Sequence, residues 1–313
     1  MKKILFLLLI NSTILRGQLS PIFSVYREQT VTLNPAMPSI NYLISEYNNS
    51  ISATYHYQWL GIEGAPVTQV LNWEWLPTDK NILVGAHIVN DKTGAIGLTG
   101  INGQFAYKMP LSRTDNRYLC IGLSTGVQSF RTKLSDIAAA ENIAVENTKK
   151  ILMDLNMGVY YHHDNRFYAG ISTPQILGNT IYMNDVDNTK QFAFKKAQQI
   201  YAVGGMYIDA PFFGNDGAYL EPNIWMRYLP KSREFSIDVG LRARISNSFW
   251  VGSGYNFYAN TLNIETGSVL GESIGLDAGQ LKIGLGFSVP MGSRWTGLGP
   301  VGEVHLCYSW GNY

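Results

Sequence analysis

Phe235-Ser-Ile-Asp-Val-Gly-Leu-Arg-Ala-Arg-Ile245 is the segment that decides the fold. Phe235, Ile237, Val239, Leu241, Ala243 and Ile245 are apolar, and the residues between them, Ser236, Asp238, Gly240, Arg242 and Arg244, are polar or tiny. Successive side chains of a strand point to opposite faces, so this segment has one apolar wall and one wet, charged wall. The same period runs through Leu281, Ile283, Leu285, Phe287 and Val289, and through Ile51, Ala53, Tyr55, Tyr57 and Trp59. A soluble sandwich also alternates. Segment length, aromatic segment ends and an export signal separate the two classes, and they fit an all-β, up-and-down antiparallel transmembrane barrel.

Working outward, the pattern predicts strands over 40–47, 50–60, 66–77, 80–90, 94–109, 117–131, 151–164, 165–175, 197–209, 217–229, 233–244, 247–259, 277–290 and 301–310. That is about 14 strands in one domain spanning 40–313, with Gly, Pro, Asn, Asp and Ser clusters between them. Many of these segments are longer than the 9 to 11 residues or so that a tilted spanning strand needs. Trp59, Trp73, Trp75, Trp225, Tyr228, Trp250 and Trp310 near segment ends predict aromatic girdles at the two membrane interfaces. Three connections break the rhythm. Residues 132–150 read as a short helix, 176–196 as a polar connection and 260–276 as a loop holding Glu265, Gly267, Gly271 and Glu272. Strand parity, counted from a periplasmic amino end, places all three on the periplasmic side.

Composition agrees with a lipid-facing exterior. Aromatic residues make up 12% and charged residues 15% of the 313 residues; soluble domains average about 25% charged. A net charge of +1 gives no basic footprint for nucleic acid. Met1-Lys-Lys followed by the apolar run Ile4–Ile10 has the layout of a secretory signal peptide over 1–17, with cleavage between Gly17 and Gln18. Residues 18–39 then form an N-terminal segment before the barrel.

Catalytic chemistry is not indicated. The five histidines, His56, His87, His162, His163 and His305, assemble into no Ser/His/Asp arrangement. His56 and His305 fall on the inward phase of their strands, while His162 and His163 read as a solvated turn. Cys120 and Cys307 are also inward, on strands too far apart for a disulfide, and their spacing matches no metal-ligand pattern. The inward set Asp154, Asn156, Glu221, Arg227, Asp238, Arg242, Arg244 and Lys282 predicts a polar lumen of mixed sign, either a small-molecule pore or a lumen closed by ion pairs.

One block is more specific. Gln58-Trp59, Gly61 and Gly64-Ala65-Pro66, with Thr68 beyond, resemble the "QW, G, GAP, T" block of the PorP/SprF family of Bacteroidetes outer-membrane proteins. Asn34-Pro35-Ala36 resembles that family's "NPA", Asn90-Asp91-Lys92-Thr93-Gly94 its "NDK, one residue, G" turn, and Phe105-Ala106-Tyr107 its "YAY". Asp154-Leu-Asn156-Met-Gly158-Val-Tyr160 and Phe167-Tyr168-Ala169-Gly170-Ile171-Ser172 are similar to its "DFNxGxxY" and "FYxGxS" segments. His56 and Phe105 depart from the usual Arg and Tyr. The resemblance implies an outer-membrane barrel of the type IX secretion and gliding apparatus without catalytic chemistry or cofactor. It implies periplasmic components of that machine as partners, together with secreted proteins that carry a C-terminal sorting domain. From the residues themselves, Gly61, Gly64 and Pro66 shape a tight loop into the next strand, and Asp91 and Gly94 form a turn in which Asp caps its own backbone.

Overall fold

The computed structural model describes residues 23–45, 47–77, 80–112, 116–133, 147–163, 166–184, 191–214, 217–271, 279–292 and 299–312. The strands are β1 (Tyr47–Tyr57), β2 (Val67–Trp75), β3 (Ile82–Thr93), β4 (Ile96–Pro110), β5 (Arg117–Thr132), β6 (Lys149–His163) and β7 (Phe167–Thr173). Then follow β8 (Thr180–Asn184), β9 (Gln191–Lys195), β10 (Ile200–Met206), β11 (Ile208–Asp209), β12 (Tyr219–Leu229), β13 (Glu234–Ser246) and β14 (Phe249–Asn256). The last three are β15 (Thr261–Leu270), β16 (Gly279–Pro290) and β17 (Val301–Asn312). Strands pair antiparallel with their neighbours, β1 with β17 on one side and β10 with β12 on the other, so the sheet closes on itself. Because β11 only continues β10 along β12, the described residues form a closed barrel of 14 strands. The hairpin β8–β9 is a separate two-stranded sheet, with Ile181 packed in a cluster with Phe130 of β5.

Two local expectations are corrected, and they cancel in the strand count. Residues 40–47 are not the first strand; Ile40–Ser45 is a short helix inside the barrel, with Ile40, Asn41, Tyr42 and Leu43 all buried. A helix packed on every side carries apolar residues at several phases, and Ile40, Tyr42 and Ile44 imitated an alternating strand. Residues 261–270 are not a loop but β15. Its inward Glu265 and Gly267 were the loop signals, yet both serve the lumen. Glu265 accepts two bonds from the Arg242 guanidinium at 2.7 and 2.9 Å, and a Cβ on Gly267 would stand 2.0 Å from the Trp250 ring.

The corrected order also moves two of the three long connections to the other mouth, while the connection after β15 stays where parity placed it. Tyr47 lies opposite Asn312, so both ends of the sheet sit at one mouth of the barrel, the terminal mouth. The connections leaving β5 and β7 open at the opposite mouth, the distal mouth. Most of the helix expected over 132–150 falls on 134–146, outside the described residues; Thr132 closes β5, and Lys149 and Lys150 open β6. The 176–196 connection contains β8 and β9.

Alternation sorts side chains as read from the sequence: Phe235, Val239, Leu241, Leu285 and Phe287 face out, while Ser236, Asp238, Arg242 and Lys282 face in and are buried. The girdle expectation needs correcting at two tryptophans. Trp73 and Trp75 are outward, each 38% exposed, but Trp225 and Trp250 are inward and buried against charged and aromatic neighbours. His162 is likewise no solvated turn residue; it is buried and stacks on Tyr118 and Tyr160. Reconstituted in brominated lipid, single-tryptophan variants keeping Trp73 or Trp75 are expected to lose most of their fluorescence, and those keeping Trp225 or Trp250 very little. Strong quenching of Trp225 would contradict its inward orientation.

Candidate functional site

A closed wall with a polar interior needs partners for that interior, and residues 23–45 supply them. The segment enters at the distal mouth and runs through the lumen to the terminal mouth, where β1 begins. At its entry the Ser24 amide donates to the Glu303 carboxylate at 2.7 Å, and the Phe23 ring meets the His56 ring edge-on. Arg27 pairs with Glu221 and donates to the Tyr207 hydroxyl at 2.8 Å. The Glu28 carboxylate accepts from Arg242 at 3.0 Å and from Lys282 at 2.6 Å, with His305 at 3.7 Å. Gln29 donates to Thr54, whose hydroxyl also meets His305 at 2.8 Å. Nearer the terminal mouth the Ser39 amide donates to Glu74 at 3.0 Å, Asn41 to Cys307 at 3.1 Å, and Lys108 to the Tyr42 hydroxyl at 2.6 Å. The segment is therefore a plug, bonded to strands around the whole circumference.

Three family-like motifs meet at the middle of this plug. The Asn34 side chain accepts from the Ala36 amide at 2.9 Å and donates to the Val159 and Ile171 carbonyls at 3.2 and 3.4 Å. These carbonyls belong to the stretches holding Gly158 and Gly170. A Cβ at Gly158 would stand 1.9 Å from Asn34 Oδ1, and one at Gly122 would stand 2.4 Å from the Pro35 carbonyl oxygen. The Ser172 hydroxyl donates to the Leu33 carbonyl at 2.6 Å, and the Tyr168 hydroxyl to Glu221 at 2.7 Å. Ala106 of the "YAY" match is wholly buried in a cluster with Ala36, Met37 and Tyr42. Glycines here let a turn of the plug lie directly on the strand backbone.

The remaining motif residues gather at the distal mouth. Gln58 N–H donates to the Pro66 carbonyl at 3.0 Å, and the loop between has Trp59, Gly61 and Gly64 at positive φ. The Gly94 amide, in the β3–β4 turn, donates to the Gly64 carbonyl at 2.9 Å. Ala65 is buried there, and the Thr68 hydroxyl donates to Asp91 at 2.8 Å. Asp91 thus accepts from a neighbouring strand, and Gly94 has the expected positive φ of 55°. Gln58 and Trp59 also line a cleft of about 170 Å³ with Phe23, Ser24 and Ser288. Deeper inside, a cavity of about 80 Å³ is lined by His87, Asp91, Asn102, Gln128, Asp154 and Lys196 among others. Lys196 reaches into it from the connection after β9 and donates to Gln128; burial pushes its ammonium below the ordinary lysine value, against the pull of Asp154 and Asp91.

Gly17 and Gln18 lie outside the described residues. Cys120 and Cys307 are free and buried, and among the described residues no group of three or more His, Cys, Asp or Glu side chains is placed to hold a metal ion. Sequence reading missed the plug residues Tyr26, Arg27, Glu28 and Gln29. The signal was there in the surplus of inward charge on Glu221, Arg242 and Lys282, which required an internal counterpart.

A family model described as type IX secretion system membrane protein PorP/SprF matches residues 15–305. No curated protein matches. Among solved structures, the CymD monoaromatic hydrocarbon channel shares 10% identity over 94% of this chain and 95% of its own, with a TM-score of 0.51. The Ralstonia pickettii toluene transporter TbuX shares 9% identity over 95% and 97%, with a TM-score of 0.50. At such identities the likeness is one of fold alone.

Gly158→Ala is expected to push the Asn34 turn off the wall at a cost of about 1–3 kcal/mol, read as a lower heat-modification temperature on gels. Gly103→Ala, where an added Cβ meets nothing within 4 Å, serves as the unaffected control. Glu28→Ala strands the Lys282 cation, leaves Arg242 with Glu265 alone, and should cost about 3–5 kcal/mol. Unchanged unfolding of Glu28→Ala would contradict the role given to this carboxylate.

Proposed function

Since the chain belongs to the type IX secretion system membrane protein PorP/SprF family, we propose that this outer-membrane barrel serves the secretion and gliding machinery by binding proteins. The observation that carries this reading is the plug. A lumen crossed by residues 23–45 and bonded to the wall through Arg27, Glu28, Gln29, Ser39 and Tyr42 is built to stay shut. A shut barrel offers its partners a rigid membrane-embedded body with two rims.

The rims divide the work. The distal rim, with the longer connections, is the cell-surface side on the ordinary pattern of outer-membrane barrels. It presents the Leu60–Gly64 loop, pinned by Pro300 and Gly94, as the surface for a secreted protein with a C-terminal sorting domain. Rigid loops on a fixed scaffold are well suited to binding. The terminal rim, with short turns, faces the periplasmic secretion components. In this reading Gln58, Trp59, Gly61, Gly64, Ala65, Pro66, Thr68, Asp91 and Gly94 hold the partner-facing loop in shape, and Asn34 and Pro35 keep the barrel closed. The signal peptide over 1–17, cleaved before Gln18, belongs to the same proposal.

The second reading is a small-molecule transporter, and the cleft of about 170 Å³ at the distal mouth favours it. Solved barrels of this fold include a hydrocarbon channel and a toluene transporter. Two measurements separate the readings. Deleting the gene should leave proteins with C-terminal sorting domains unexported or unattached at the cell surface; normal export and attachment would reject the secretion role. In planar bilayers the intact protein should show no stable conductance, whereas steady large openings would favour transport.

A further inference from the structure

The outer wall around β2–β6 carries a second, lipid-facing pattern at the distal end. Lys92 on β3 lies opposite Gly97 on β4, Gly97 opposite Arg131 on β5, and Arg131 opposite Lys149 on β6. Directly paired residues share a face of the sheet, and all three cations fall on the outward phase and are exposed. One residue pair nearer the membrane centre comes a row that is polar on β2–β5, Gln69, Asn90, Thr99 and Ser129, and apolar on β6 at Ile151. Within it Asn90 donates to Gln69 at 3.0 Å and Thr99 to Asn90 at 2.8 Å. The next row is wholly apolar: Leu71, Ile88, Ile101, Val127 and Met153, each at least 40% exposed.

Cation, amide and hydroxyl, then hydrocarbon: these rows reproduce the polarity profile of a phosphorylated amphiphile standing beside the wall. Gly97 leaves the space between Lys92 and Arg131 open, since a Cβ there would meet nothing within 4 Å. Lys92 and Arg131 stand two strand spacings apart, about 10 Å, a span that two long side chains close around one headgroup. None of the three cations has a polar partner among the described residues. The pattern is one-sided. At the same end of the wall, β1, β12 and β13 present the aromatic residues Tyr55, Tyr228 and Phe235 instead.

We infer that Lys92, Arg131 and Lys149 bind the phosphate groups of a phosphorylated glycolipid in the leaflet at the distal mouth. Gln69, Asn90 and Thr99 meet its sugar hydroxyls, and the apolar row below takes its acyl chains. This site is independent of the secretion role, because it uses only the barrel wall.

The test is native mass spectrometry of the detergent-purified full chain with added diphosphorylated lipid A, and with phosphatidylcholine as the phosphate-bearing but zwitterionic comparison. The intact protein should retain lipid A through dissociation of the detergent and retain phosphatidylcholine poorly. The triple variant Lys92→Gln/Arg131→Gln/Lys149→Gln should bind lipid A about 100-fold more weakly, taking each basic residue's contribution at an anionic surface as additive. A control, Lys80→Gln/Arg166→Gln/Arg233→Gln, removes the same charge elsewhere and should bind normally. Lys92→Arg/Lys149→Arg should also bind normally, and heat modification shows that each variant is folded. Equal retention by the triple variant and the intact protein overturns the assignment, as does an equal loss in the control. Displacement of lipid A by millimolar inorganic phosphate would point to free phosphate and overturn the lipid assignment too.

Discussion

Glu28 is one carboxylate inside a barrel, and much of the structure depends on where it stands. Arg242 on β13 and Lys282 on β16 project into the lumen and are buried there. A buried charge without a partner costs several kcal/mol, and breaking a buried pair costs about 3–5 kcal/mol. From the wall, Glu265 on β15 serves Arg242, and Glu28 from the plug meets both cations. The plug and the barrel therefore each satisfy the other's buried polar groups. Either one without the other leaves ions stranded.

That mutual dependence explains why residues far apart in the chain have matching requirements. Asn34 closes a turn whose backbone lies on Gly122 and whose Asn34 side chain lies on Gly158 and Gly170, and Ser172 and Tyr168 complete the contact with Leu33 and Glu221. The motifs read in the sequence as separate pieces form two assemblies. One fixes the plug against β5, β6 and β7. The other ties the β1–β2 loop to the β3–β4 turn through Gly64, Gly94, Thr68 and Asp91. The first holds the plug in the lumen and the second shapes a rim of the barrel.

The barrel itself was legible because lipid enforces a strict rule on one face of each strand. Phe235–Ile245 shows that rule without exception. Legibility failed where a residue answered to the lumen instead. Glu265 and Gly267 looked like loop residues because a charge and a glycine seldom mark a strand, but one pairs with Arg242 and the other clears space for Trp250. Ile40–Ser45 looked like a strand because apolar residues inside the plug obey no membrane face. Trp225 and Trp250 looked like girdle residues because they stand near strand ends, although the phase shared with Glu221 and Arg227 places Trp225 inward. The plug was hidden for a related reason: its partners are long-range ion pairs such as Glu28 with Lys282, which leave no periodic trace.

The central claim is that residues 23–45 occupy the lumen of a membrane barrel in the resting protein. Hydrogen–deuterium exchange on the full chain in lipid nanodiscs tests it most directly. The account predicts that backbone amides of residues 27–43 exchange slowly, on the timescale of the barrel strands themselves. Exchange within seconds across that segment, with the strands still protected, would show a tail outside the pore and contradict the account.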